Sequence, residues 1–562
     1  MQFQKTVAVL AAVLLVFGRL ACAEDSASTL AYIESLPAPA LMDGVGNSRL
    51  EISTDKKKAQ HYFNQGVSLL HDFWWFEAYR SFRHASELDP DAAMPWWGRY
   101  LAARNMANLP DAERKAELQL AVDRIGELRD NASTREQYYL DSITASHGKD
   151  GDEGDAAYRA ELEALLVAYP DEVEAKLFLW LALDGGFDAD GRPRDGQVYG
   201  QLLLETELAK HPDHQGLLHY WIHNQESGKH PESALGAAER LASLAPNAGH
   251  IVHMPGHIHF RMGNYDAAHE QFALADDADA RYMHKYGIDP IFTWNYLHNI
   301  SFLVANLAEA GRFDEAREYA RSFRGMANDS EYKNYEGYSM VSGRAELEPF
   351  LLELRSGNFA LAAETLRSAP AQAGSDPDQV LRRAAYQAYA DGMAAIQAGD
   401  PEVAGQAGDR LDALLWRAER DDVRLRGLKV MTIYSLELQA MVEHGNGDTD
   451  KAIELLGRAL EKEAELRYSE PPPVVRPVAE SLADIYLTDG DWEKAREAYS
   501  QVLGGRPNSG YALFGIARSF DLEGDAAKAR SAYRRFLDAW ASADADAPRK
   551  QHAEAWLTAN PG

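Results

Sequence analysis

The sequence predicts an all-α protein in which helix pairs stack into a solenoid. Small residues, aromatic residues and prolines return with a 34-residue period, as Pro212 and Pro246 do. Near the C terminus three positions of one unit repeat after 34 residues: Gly490, Ala495 and Tyr499 return as Gly524, Ala529 and Tyr533. A period of this length is typical of a helix–turn–helix unit that packs only on its neighbours. The sequence has no β-type alternation and no Gly-rich phosphate-binding loop that would favour another fold.

The first predicted unit begins at Ala59, where the pattern becomes helical. In each unit small residues stand where the two helices touch, an aromatic residue fills the space between them, and a proline closes the unit. In the first unit these positions are Gln65, Gly66, Ala78, Phe82, Ala85 and Pro90. The same register follows at Gly263, Tyr265, Ala268, Phe272 and Ala275, at Gly311, Phe313 and Ala316, at Gly357, Phe359 and Ala362, and at Gly399 and Ala404. The predicted fold is a helical-repeat solenoid like that of tetratricopeptide repeat (TPR) proteins.

The chain divides into six predicted segments. Residues 1–23 are predicted to be a secretory signal peptide, and 24–58 an irregular segment with several Pro and Gly that wraps the first helices. TPR-like helices are predicted at 59–145, a His-rich TPR-like core at 155–345, further TPR-like repeats at 346–541 and a tail at 542–562. Gly- and Asp-rich stretches interrupt the helical pattern before and within the core.

The N terminus has the three parts of a secretory signal. Lys5 supplies the positive charge, the stretch 7–17 is apolar, and Ala21-Cys22-Ala23 offers small residues for cleavage. The apolar stretch is shorter than the roughly 20 residues that span a bilayer, so it is not a transmembrane helix. We also expect no transmembrane segment in the mature chain. Lipid modification of Cys22 is the alternative, and Arg19 argues against it. We therefore expect an exported protein, periplasmic or secreted.

Composition excludes several kinds of chemistry in the mature chain. Cys22 is the only cysteine among 562 residues, so cleavage leaves no disulfide, no thiolate ligand and no cysteine nucleophile. The formal net charge is −30, and no basic stripe offsets it. Such a chain repels nucleic acid and anionic lipid, so we expect no nucleic-acid partner.

Four segments together resemble a family of bacterial TPR-repeat proteins with a generic annotation. They are YFNQG at 62–66, SFRHA at 81–85, LAPNAGHIVHMPGHI at 244–258 and SEPP at 469–472. The resemblance covers most of the mature chain, implies an all-helical fold and implies no agreed activity. One position departs from the family pattern: where we expect Asn-x-His-Phe, the chain reads His298-Asn299-Ile300-Ser301-Phe302. Ser301 is a poor metal ligand, which argues against carrying over a larger site.

The strongest functional signal is a pair of histidines that recurs after one repeat. His219 and His223 return 34 residues later as His253 and His257, while the residues around them differ. Histidines at i and i+4 share one face of a helix, and the resemblance places such faces in the concave groove. Imidazole is a common metal ligand, so these four side chains are predicted to share one ion.

Two further histidines are candidates for completing this site. Twelve of the eighteen histidines fall between residues 211 and 298. His250 continues the stripe of His253 and His257 along one helix, and His298 begins a comparable helix. With no cysteine in the mature chain and only Glu226 as a nearby carboxylate, copper or zinc is favoured over iron. A structural polar network and a groove for a peptide or an anionic ligand remain alternatives, and Pro255 inside the helix predicts a kink.

Three functions fit these features: a scaffold that binds a protein or peptide partner, a metal storage or sensing protein, and a copper- or zinc-dependent enzyme. TPR-type solenoids most often bind other proteins, which favours the scaffold. Whether the chain is an enzyme stays open, because function depends on the site and not on the fold. Glu470 is followed by three prolines. We interpret this segment first as a rigid break between helices, and the alternative is that Glu470 is an acid that faces the groove.

Overall fold

The protein is all-helical in a computed structural model that describes residues 28–183, 185–188, 190–332, 338–369, 377–420, 427–469 and 471–561. These residues form 26 α-helices and no β-strand, apart from one isolated bridge between Phe187 and Pro193. The predicted signal peptide at 1–23 lies outside the described residues, as does Glu470. No helix of the described residues combines the length and apolarity needed to cross a bilayer.

After the short helix α1 (Thr29–Ser35), the chain forms twelve consecutive helix pairs. The first helices of the pairs are α2 (Lys57–His71), α4 (Met94–Asn105), α6 (Thr134–Ser146), α8 (Val173–Ala182), α10 (Gln215–Glu226), α12 (Gly249–Arg261), α14 (Trp294–Glu309), α16 (Tyr338–Ser356), α18 (Pro377–Gln397), α20 (Leu428–Gly445), α22 (Val478–Asp489) and α24 (Gly510–Glu523). The second helices are α3 (Trp75–Leu88), α5 (Asp111–Leu128), α7 (Gly151–Ala168), α9 (Gln197–Leu208), α11 (Leu235–Leu244), α13 (Tyr265–Tyr286), α15 (Phe313–Asp329), α17 (Phe359–Ser368), α19 (Pro401–Arg420), α21 (Thr449–Ala464), α23 (Trp492–Gly505) and α25 (Ala526–Ala539). Helix α26 (Pro548–Ala559) follows, inside the segment predicted to be a tail.

The packing order is that of a solenoid, which confirms the predicted fold class. From α2 onward each helix packs on the next one in the chain, and the first helices of neighbouring pairs also contact one another along much of the array. The predicted small and aromatic positions explain this packing. A Cβ atom at Gly256 of α12 would lie 2.3 Å from the ring of Phe272 in α13, so the glycine lets the two helices approach. Gly263, with φ +73°, turns the chain between them.

The N-terminal segment before α2 is largely irregular and lies along several pairs. Gln60 of α2 accepts from the backbone N–H of Ile52 at 2.9 Å, which fixes the segment on the first pair. The backbone N–H of Asn47 donates to Oε1 of Gln215, the first residue of α10, at 2.9 Å. The segment therefore joins the first pair to the centre of the solenoid.

The C-terminal pairs return to the centre of the chain. The indole of Trp540 donates to the backbone carbonyl of Glu309 at 2.9 Å, and the hydroxyl of Tyr511 donates to the carbonyl of Ala308 at 3.0 Å. The buried Arg355 donates to Glu309 at 2.7 Å and to Glu480 at 2.9 Å. The solenoid thus curves until its last pairs touch the end of α14.

Candidate metal centre

Three neighbouring first helices carry the predicted histidines. Helices α10, α12 and α14 pack side by side, because each is the first helix of one of three successive pairs. The i, i+4 spacing places two histidines of α10, and two of α12, on the faces that meet. The structure brings all six predicted residues into one aromatic cluster: His219, His223, His250, His253, His257 and His298.

On α10 the two imidazoles face each other through their Nε2 atoms, which lie 3.0 Å apart. Each Nδ1 is used elsewhere. His219 Nδ1 lies 2.5 Å from the backbone carbonyl oxygen of His71, and His223 Nδ1 lies 2.5 Å from Glu226 Oε1. Since both partners are acceptors, both Nδ1 atoms carry the hydrogen and donate it.

On α12 the second pair repeats this arrangement. The Nε2 atoms of His253 and His257 lie 2.5 Å apart. His253 Nδ1 donates to Asn299 Oδ1 at 2.7 Å, and His257 Nδ1 donates to Glu226 Oε2 at 2.9 Å. The side-chain amide of Asn299 donates to a backbone carbonyl at 2.9 Å, which leaves its oxygen facing His253.

Glu226 joins the two pairs. Its two carboxylate oxygens accept from His223 of α10 and from His257 of α12, whose ring centroids lie 6.1 Å apart. Burial acts to raise the pKa of Glu226, but the imidazoles of His223 and His257 outweigh it and hold the pKa well below its ordinary value. A negative charge therefore lies beside the histidines.

At His219 and His253 the hydrogen bond made by Nδ1 leaves Nε2 facing the partner ring. Burial lowers the pKa of His219 and of His253 well below its ordinary value, and neighbouring imidazoles lower it further. Both rings are therefore neutral near pH 7. A neutral imidazole that donates through Nδ1 has only a lone pair at Nε2. Each of these lone pairs needs a cationic group opposite it, which is a proton on the partner ring or a metal ion between the two rings.

His250 lies between the two pairs. Its ring centroid is 5.2 Å from that of His219, 5.7 Å from that of His253 and 5.8 Å from that of His298. His250 is buried, and within the described part of the chain neither of its ring nitrogens has a hydrogen-bond partner. Buried polar atoms without a partner are uncommon and costly, so these two nitrogens need an explanation.

The ligand nitrogens form two groups of three rather than one obvious group of four. In each group the nitrogens lie within 4.8 Å of one another. The first group is His219, His223 and His250, and the second is His250, His253 and His298. His219, His223, His253 and His257 were predicted to share one ion. This stays a prediction, because their Nε2 atoms meet in two separate pairs.

Aromatic rings cover the histidines. Phe73, in the turn between α2 and α3, has ring centroid distances of 4.7 Å to His219 and 5.5 Å to His223. Its φ of +54° is in the left-handed region, which bulky residues seldom adopt. On the other side Phe302 stacks on His257 at 4.5 Å. Aromatic rings therefore cover the centre on two sides.

One cavity reaches the histidines from outside. It has a volume of about 310 Å³, and His223 and Glu226 form part of its wall. Aromatic and basic side chains, among them Trp180, Phe187 and Arg194, line part of the remainder. His223 is only partly buried, with 17% of its side chain exposed, so the cavity leads to one edge of the centre.

The Ser301 side chain makes its hydrogen bonds to residues other than the clustered histidines. Its hydroxyl donates to Glu348 at 2.6 Å and accepts from Arg344 at 3.0 Å. Ser301, Arg344 and Glu348 line a separate cavity of about 990 Å³.

Sequence reasoning missed three parts of the centre: the carbonyl of His71, the side chain of Asn299 and the ring of Phe73. The carbonyl and the phenylalanine come from a helix pair far away in the sequence, and no local pattern marks them. Asn299 follows His298 directly, and an amide next to a candidate ligand was the one available signal.

The Tetratricopeptide repeat family matches residues 511–542, which cover most of α24 and all of α25. No curated protein matches the chain. Similar solved structures include yeast Tom70, with 12% identity over 90% of this chain and 97% of that one and a TM-score of 0.27.

Two further structures show likeness of the same order. Human IFIT1, as a dimer with m7Gppp-AAAA, has 14% identity over 88% of this chain and 92% of its own, with a TM-score of 0.31. The P58(IPK) TPR domain has 13% identity over 79% of this chain and 99% of its own, with a TM-score of 0.19. Residues 511–542 thus resemble a tetratricopeptide repeat in sequence, and the described chain is a TPR-like helical solenoid.

Proposed function

We propose that this protein is an exported TPR-like scaffold that binds copper or zinc in its histidine centre. The observation that carries the proposal is the pairing of Nε2 atoms, at 3.0 Å in α10 and 2.5 Å in α12, with every Nδ1 of these four histidines donating to an oxygen. Oxygen acceptors at Nδ1 are the usual support of metal-binding imidazoles, because they fix the ring and direct Nε2 to the ion.

Both Nε2–Nε2 distances are shorter than the distance between two nitrogen ligands of one ion, by a small amount in α10 and by a larger one in α12. Two nitrogens on one tetrahedral ion lie roughly 3.3 Å apart, given metal–nitrogen bonds of about 2.0–2.1 Å. The pair on α10 is already near this value at 3.0 Å, whereas the pair on α12, at 2.5 Å, has to open by roughly 0.8 Å. The donor set is imidazole nitrogen with a single nearby carboxylate, which suits copper and zinc.

The charge of the protein supports a cationic ligand. Glu226 contributes one negative charge beside the rings, and the chain as a whole carries −30. Such a field raises the local concentration of cations and disfavours anionic ligands. A metal ion therefore fits better here than the anionic groove ligand considered from the sequence.

Elemental analysis tests the proposal. Untagged protein, purified from its native compartment, is expected to contain copper or zinc, and the double variant His219→Ala/His253→Ala is expected to contain less of it, with an unchanged helical circular dichroism spectrum. The matched control is His259→Ala, which removes a half-buried histidine of the same helix α12 that is not among the paired rings. Metal content that is unchanged in the double variant would refute the proposal.

Catalysis is the second candidate, and the cavity beside His223 favours it. A catalytic metal keeps a position open for water or substrate, whereas a structural or storage site is closed. Cobalt- or copper-loaded protein is expected to change its visible spectrum when azide is added. A spectrum that azide leaves unchanged would favour storage or sensing.

Export and partner binding complete the proposed function. We propose that the mature chain begins near Glu24, which mass spectrometry of the N terminus tests; a lipid-modified Cys22 would contradict it. The partner is proposed to be a protein or a peptide, since solenoids present extended surfaces to such ligands. Crosslinking in the native compartment, followed by identification of the bound species, tests this.

A further inference from the structure

The two unpartnered nitrogens of His250 carry an inference that rests on the proposed function and goes beyond it. A neutral imidazole has one N–H that needs an acceptor and one lone pair that needs a donor or a cation. Within the described residues neither nitrogen of this buried ring has a partner. One metal ion would satisfy one nitrogen and leave the other buried and unpaired.

We propose that the centre holds two metal ions, with His250 as an imidazolate between them. The first ion is bound by His219, His223 and one nitrogen of His250. The second is bound by His253, His298 and the other nitrogen of His250. These sets are the two groups whose ligand nitrogens lie within 4.8 Å of one another.

His257 joins the second ion. Its Nε2 is 2.5 Å from that of His253, and its ring centroid lies 5.8 Å from that of His298. The second ion then has four nitrogen ligands and the first has three. The number of ligands supports two ions, because six imidazoles exceed the four ligands that a zinc ion commonly takes in proteins.

The two ions have different surroundings. The first lies beside Phe73 and is nearer to the cavity, since its ligand His223 lines that cavity. The second lies beneath Phe302, which stacks on His257. We therefore assign the open coordination position to the first ion and the closed site to the second.

Binding of both ions changes the protonation of His250. Five of the histidines bind as neutral imidazoles and keep one N–H each. His250 loses its single N–H when both nitrogens bind an ion, so loading of both sites releases one proton from this ring to the solvent. Calorimetric titration in two buffers of different ionisation enthalpy measures that release.

Metal stoichiometry of the full chain tests the inference. Wild-type protein titrated with Zn²⁺ or Cu²⁺ and then desalted is expected to retain two ions. One retained ion would refute the two-ion inference and leave the proposed function intact, whereas no retained ion would refute the proposed function itself.

A variant and a spectroscopic measurement complete the test. His250→Ala leaves two ligands at the first site and three at the second, so it is expected to retain one ion, while the control His259→Ala retains two. In wild-type protein with two Cu²⁺ ions, coupling through the imidazolate is expected to reduce the integrated spin signal below the copper content. Two uncoupled copper ions in the wild type would refute the bridge, whether or not the variant folds.

Discussion

The indole N–H of Trp294 donates to the backbone carbonyl of Phe73 at 2.7 Å and joins two residues that are 221 positions apart. Trp294 begins α14, and Phe73 lies in the turn between α2 and α3. Just before this turn, the carbonyl of His71, the last residue of α2, accepts from His219. The first helix pair therefore covers the histidine centre, and hydrogen bonds to α10 and α14 hold its turn in place.

Removal of the Phe73 ring is expected to speed metal exchange. Phe73→Ala and Phe73→Gly both uncover His219, His223 and His250, so chelator-driven release of the metal is expected to be faster in both variants. Because the φ of +54° suits glycine, the metal-free Phe73→Gly protein is expected to be about 1 kcal/mol more stable than the alanine variant. Stopped-flow chelation and chemical denaturation measure the two effects. Release as slow as in the wild type would show that the ring is no barrier.

Glu226→Gln is expected to weaken metal binding by about 10- to 100-fold, because a hydrogen-bonding carboxylate behind metal ligands contributes on this scale. The glutamine keeps the size of the side chain but carries no charge, and its amide group cannot accept from both His223 and His257. Competition with a colorimetric chelator measures the affinity. Glu232→Gln is the control, because Glu232 also accepts from a histidine, the exposed His230, outside the centre. Equal affinities in the two variants would contradict the role of Glu226.

Asp279→Asn is expected to change how stability depends on pH. Burial, with a smaller contribution from Asp276, raises the pKa of Asp279 from 3.8 to about 8, and within the described residues its Oδ2 has no hydrogen-bond partner. The folded state holds this proton more tightly than the unfolded state, so the stabilisation is complete below pH 4 and is lost as the pH rises to about 8.

Thermal denaturation between pH 4 and pH 9 checks this. The asparagine variant lacks the titration, so its melting temperature is expected to rise relative to the wild type as the pH increases, with a gain of about 1 kcal/mol or more at pH 9. Asp277→Asn, at an exposed neighbouring position, is the control and is expected to follow the wild type. Parallel curves for the wild type and Asp279→Asn would contradict the prediction.

Arg355→Met is expected to destabilise the fold by about 3 kcal/mol, because the change leaves the carboxylates of Glu309 and Glu480 buried without this cation. Urea denaturation measures the loss. Arg367→Met, which breaks an exposed pair with Asp391, is expected to cost less than about 1 kcal/mol. A similar cost for both variants would show that Arg355 does not hold the last pairs against α14.

The fold could be predicted from the sequence because each repeat is a local pattern. The positions of Gly256 and Phe272, or of Gly66 and Phe82, lie within one helix pair, and the period alone brings them together. The register of Gly263 at a turn follows from the same pattern, and its φ of +73° agrees.

The candidate site was predictable only in part. The 34-residue period brings His219 and His223 close to His253 and His257, but it cannot say which nitrogens face inward. That depends on acceptors from other helices, namely the carbonyl of His71 and the amide oxygen of Asn299. Contacts between distant helix pairs follow from the curvature of the whole array, which no local pattern encodes.

The return of the last pairs to α14 limits how this protein can evolve. Open repeat arrays lengthen or shorten by duplication or deletion of a unit, since each unit touches only its neighbours. Here a unit added between α14 and α24 would carry Tyr511 and Trp540 away from the carbonyls of Ala308 and Glu309. Relatives that keep this closure are therefore expected to keep the same number of helix pairs between these points and to vary in their loops instead.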